Sequence, residues 1–122
     1  MKLNEPNADK NFECYLLEAI DEAFSALGEN VKTAIYFRVD SAFNIKKQEV
    51  PERLEDFSDA LEQIFGLGAR HLEIMCMKCL HSKIMAVSKL QFLEFELPEM
   101  TFLEYVCLAR QIFTNGQEKQ LK

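Results

Sequence analysis

Apolar residues recur along this chain at three- and four-residue steps, in stretches separated by short joints rich in glycine, asparagine and proline, which is the pattern of helices linked by turns. Phe12, Leu16, Ile20, Ala23, Phe24 and Leu27 share one helical face, so the first helix is predicted from Phe12 to Leu27, with Asn11 as N-cap and Gly28 as its stop. A second helix follows from about Glu29 to Phe43. Its buried face is expected to hold Val31, Ala34, Ile35, Val39, Ala42 and Phe43, widened by Tyr36 and Phe37. The stretch from Asn44 to Val50 reads as a connector anchored by Ile45 and closed by Pro51, whose missing N–H is harmless in a first helical turn.

The third helix is expected from Pro51 or Glu52 to Phe65. It buries Leu54, Phe57, Leu61, Ile64 and Phe65 and turns Glu52, Glu55, Asp59 and Glu62 outward. Gly66-Leu67-Gly68 ends it, with Leu67 expected to pack back onto the last turn and the tight joint making an angled helix pair. The fourth helix then runs from Gly68 to about Met85. Seven of the nine positions from Leu72 to Leu80 are apolar, Glu73 and Lys78 being the exceptions, and a helix that apolar all round must be covered on several sides. The expectation is that neighbouring helices cover one broad face and that the remainder meets a second copy or a partner.

From Leu90 to Leu97 the pattern changes to LQFLEFEL, close to period two, so a short β segment is expected there, ended by Pro98. A lone strand leaves backbone donors and acceptors to be satisfied. Pairing with its own copy across a two-fold axis would satisfy them, as would packing an extended crossover on the helices. Thr101 and Glu104 form a T-x-x-E capping box that opens the last helix, with Phe102, Val106, Ala109, Ile112 and Phe113 inward and Asn115-Gly116 as its close. The expected fold is therefore mainly α: a five-helix, bundle-like domain over residues 11–116 with one short β segment at about 90–97, a flexible segment over 1–10 and a polar tail over 117–122.

Composition narrows the class. With 122 residues, 48% hydrophobic and 28% charged, the chain has the makeup of one soluble globular domain. It has no apolar run long enough for a membrane span or a signal peptide, which points to the cytoplasm. A net charge of -6 and an isoelectric point near 5.0 argue against phosphate binding. The helix pair about Gly66-Leu67-Gly68 has the outline of a helix-turn-helix, but Arg70, His71, Lys78 and Lys83 sit on an otherwise apolar second helix, so no nucleic-acid contact is expected.

Candidate chemistry centres on Cys76-Met-Lys-Cys79. Haem attachment needs histidine directly after the second cysteine, and Leu80 intervenes before His81. His71-Leu-Glu73 supplies an apparent H-x-E ahead of the cysteines, as in zinc deaminases, but both halves lie on one helix without the proline of that motif. At about 100° per residue, Cys76 and Cys79 lie about 60° apart while His81 is about 160° from Cys79, so a structural zinc site would need Cys14 and Cys107 from other helices. The reading adopted is four unpaired, helix-borne cysteines that pack as small hydrophobes, with no cofactor or metal. A thioredoxin-like role is disfavoured by the mid-helix placement. No glycine-rich phosphate loop, nucleophile elbow or metalloprotease signature is present, and the two histidines are expected at the surface or rim.

The stretch from Val31 to Ile84, together with Thr101 to Tyr105, resembles a functionally uncharacterised archaeal helical domain family found alone or as the C-terminal output part of receiver-type signalling proteins. The A-I-Y-F step at Ala34–Phe37, the I-F-G-x-G-A joint at Ile64–Ala69 and the T-F-x-E-Y at Thr101–Tyr105 carry the resemblance, which covers roughly Phe12 to Phe113. In that family the positions of Cys76 and Cys79 are usually aliphatic or basic, so the cysteines are a departure. The resemblance implies a cytoplasmic archaeal protein with a signalling or regulatory association and no reaction attached.

The functional expectation is a non-enzymatic protein-interaction and dimerisation module with a signalling role, a homodimer with a protein partner. Its interaction surface is expected to be built from Leu72, Met75, Met77 and Leu80 with Phe92 and Phe95, since flexible methionines suit a surface that repacks. The alternative is a small ligand-sensing or cysteine metal-binding domain.

Overall fold

The computed structural model describes the backbone of residues 4–88 and 100–120 and the side chains of residues 10–84 and 100–114. Five helices follow in order: α1 Asn4–Ser25, α2 Glu29–Phe43, α3 Leu54–Phe65, α4 Gly68–Ser88 and α5 Phe102–Gln120, with one short 3-10 turn at Lys47–Glu49. The mainly α class holds, and the described residues contain no strand. The segment expected as β, residues 90–97, lies outside the described residues.

Helix ends moved where local signals competed. α1 begins at Asn4 rather than Phe12, so Asn11 lies inside the helix and not at its cap. It stops at Ser25, where the Gly28 amide donates to the Ser25 carbonyl at 2.9 Å; Leu27 therefore sits in the turn and is 40% exposed instead of buried. Pro51 and Glu52 belong to the turn before α3, which starts at Leu54. Asn115 and Gly116 do not close α5, which continues to Gln120: without a proline or a left-handed residue the helix simply runs on.

Two punctuation signals do set geometry. Thr101 and Glu104 make both capping-box bonds, the Glu104 amide donating to Thr101 Oγ1 at 3.0 Å and the Thr101 amide to Glu104 Oε1 at 3.1 Å. Gly66 takes φ 59° and ψ -129°, a conformation closed to residues with a Cβ, and its amide caps the Glu62 carbonyl at 2.7 Å. Leu67, expected to fold back onto α3, points outward instead and is 95% exposed.

The core is assembled about α4, which packs against α1, α3 and α5; α1 also meets α5 and α2. α1 contributes Phe12, Leu16, Ala19, Ile20, Ala23 and Phe24, all fully enclosed. Phe24 links two neighbours, its ring centroid lying 5.6 Å from Tyr36 of α2 and 6.4 Å from Phe57 of α3. Phe113 of α5 closes the other end against Phe12 and Tyr15, at 5.9 and 5.8 Å. Such offset and edge-on ring pairs add about 0.5–1.5 kcal/mol each beyond their buried area.

The connector is a hook. Ile45 and Val50 are buried, as the anchor at Ile45 required, and Arg53 Nη1 donates to the Asn44 carbonyl at 2.8 Å to hold the hook closed. Asp21 of α1 gathers the hook and α2 together, accepting from Lys47 at 3.0 Å and from Lys32 and the Tyr36 hydroxyl at 3.2 Å each.

Candidate interaction groove

α2 lies at the edge of the bundle, packed chiefly on α1 and α3. Its apolar residues span more of the helix circumference than those neighbours reach. At about 100° per residue, Ile35, Val39, Phe43 and Tyr36 fall on an arc of about 100° turned toward α1 and the core. Val31, Ala34 and Arg38 continue from that arc toward solvent. Ile35 and Val39 are buried, but Val31 is 40% and Phe37 70% exposed, and Ala34 and Ala42 are exposed as well. Of the face expected to be buried, only about half is.

Beside this strip the end of α3 presents Ile64 and Phe65, the latter 37% exposed and so another departure from the expected core. Between the two helices runs an open groove of about 360 Å³ lined by Asn30, Val31, Ala34, Ile35, Arg38, Ile64 and Phe65. Its walls are apolar apart from Asn30 and Arg38. Arg38 is exposed and has no carboxylate partner among the described residues, whereas the neighbouring Lys32, Lys46, Lys47 and Arg53 are all ion-paired. The groove therefore joins an apolar trough to one cation at its edge.

The residues assigned to an interaction surface from sequence are placed elsewhere. Leu72 is 6% exposed and Met77 and Leu80 are fully enclosed, so α4 spends its apolar surface on α1, α3 and α5. Met75 is partly buried against the same core. Phe92 and Phe95 lie outside the described residues. The sequence pattern measures how much of a helix is apolar, while burial depends on how much of its circumference its neighbours cover, and α1, α3 and α5 cover α4 on several sides.

The cysteines do not converge. Cys14 and Cys107 are exposed on α1 and α5, Cys79 is half-buried and Cys76 is buried, all as free thiols. Among the described residues no group of three or more histidine, cysteine, aspartate or glutamate side chains is arranged to hold a metal. Burial pushes the Cys76 thiol far above its usual range, with the nearby Cys79 and Glu73 adding to the effect. Cys79 is raised as well, by burial first and then by Glu22. Neither is an activated thiolate.

His71 is exposed, and His81 is half-buried, with its Nδ1 3.4 Å from the Tyr105 hydroxyl. The carboxylates Glu52, Glu55, Asp59 and Glu62 are all exposed on the outer side of α3. Two further cavities carry charged residues in their lining. One, of about 580 Å³, runs along α1 past Asp21, Glu18, Glu22, Lys47 and Lys83; its charges are matched internally, Lys83 pairing with Glu22 at 3.3 Å and Glu18 at 3.6 Å. The other lies between α3 and the starts of α4 and α5.

No family model matches the chain, and no curated protein or solved structure shows significant similarity to it. Among the described residues, no helix is long and apolar enough to cross a membrane. What is shown is a mainly helical fold with an open apolar groove along its edge helix.

Proposed function

We propose that this chain is a non-enzymatic interaction module, acting in a signalling or regulatory setting, whose α2–α3 groove receives an amphipathic helix of a protein partner. The observation that carries the reading is the open apolar groove lined by Val31, Ala34, Ile64 and Phe65 beside Arg38, which has no carboxylate partner among the described residues. The resemblance of the sequence to output-type archaeal domains supports the regulatory setting. An incoming helix would lay apolar residues at three- and four-residue steps into the trough and an aspartate or glutamate against Arg38.

Val31→Glu and Arg38→Glu test this. Both positions are exposed, so both variants are expected to keep the helical circular dichroism and melting temperature of the native chain. Wild-type protein immobilised in native lysate is expected to retain a partner that both variants lose. Reversing the partner's matching acidic residue to lysine is expected to restore binding to Arg38→Glu. Equal retention by all three forms would refute the assignment. Light scattering on the same samples reads self-association: a dimer dissolved by Val31→Glu would place a second copy in the groove.

A further inference from the structure

We draw no further inference here: the strongest candidate, the exposed apolar patch that Leu67 on the α3–α4 joint and Leu103 at the start of α5 form at one end of the bundle, carries nothing because nothing in the structure shows what covers it.

Discussion

Replacing Met77 with alanine separates the two ways of reading α4. If Met77 faced a partner, the isolated chain would lose little; enclosed as it is, with no exposed surface, it must lose a great deal. Truncation removes Cγ, Sδ and Cε. At about 0.8 kcal/mol for each methylene-sized group the transfer loss is about 2.5 kcal/mol, and incomplete collapse of the site around α1, α3 and α5 brings the total to about 3–4 kcal/mol. For a domain of 122 residues that corresponds to a fall in melting temperature of about 10–15 °C. Thermal and urea denaturation followed by circular dichroism at dilute concentration measure it directly. Met77→Glu is expected to be worse, since it adds an unpaired buried charge. The control is Val31→Ala on the groove, 40% exposed, for which a loss of less than about 1 kcal/mol is expected. A Met77→Ala melting temperature within about 4 °C of the native value would refute the central placement of α4.

Three further outcomes follow from particular contacts. Thr101→Ala removes the hydroxyl that accepts from the Glu104 amide and is expected to cost about 1 kcal/mol, read as a lower urea midpoint with unchanged slope. At Asp21, burial raises the carboxyl, but hydrogen bonds and charge from Lys47 and Lys32 outweigh it and hold the group below its ordinary value of 3.8. A carboxyl depressed in the folded state stabilises the fold above the unfolded value and loses that contribution as pH falls through the folded one. Asp21→Asn should therefore destabilise by about 1 kcal/mol or less near neutral pH, and the gap to the native chain should close below about pH 4. An unchanged gap at pH 3 would disprove the linkage. With a chromogenic disulfide reagent, Cys14 and Cys107 are expected to react at once, Cys79 slowly and Cys76 only after denaturation; immediate reaction of all four would contradict the packing of α4 on the core.

Much of the architecture could be read locally. The bounds of α2, the anchor at Ile45, the capping box at Thr101 and the stop at Gly66 each depend on a few adjacent residues and their backbone preferences, and each is found as expected. Errors arose where a local signal was weaker than continued helix. Asn11 is a good cap but lies in a helix that began at Asn4, and Asn115-Gly116 is a common stop that α5 runs through. The candidate site was half visible. Tyr36 and Phe37 widen the apolar face of α2 in sequence, yet the pattern assigns the excess to α4, whose apolar run is denser. In sequence Glu73 is only an interruption in that run, because periodicity carries no information about which polar residue is drawn inside by a hydroxyl on another helix.

The order of residues by itself determined that this chain is helical, roughly where the helices lie, and that it holds more apolar surface than one face per helix can use. Only the tertiary structure decided which helix keeps the surplus. α4 became the centre because α1, α3 and α5 together enclose it on several sides, and its nearly uniform apolar girth is consumed there. α2 was left at the edge with fewer neighbours, so part of a less apolar face stays open. Helical pattern is a property of sequence within a few turns, whereas coverage is set by how many distant segments converge, and that number appears only once the chain has packed.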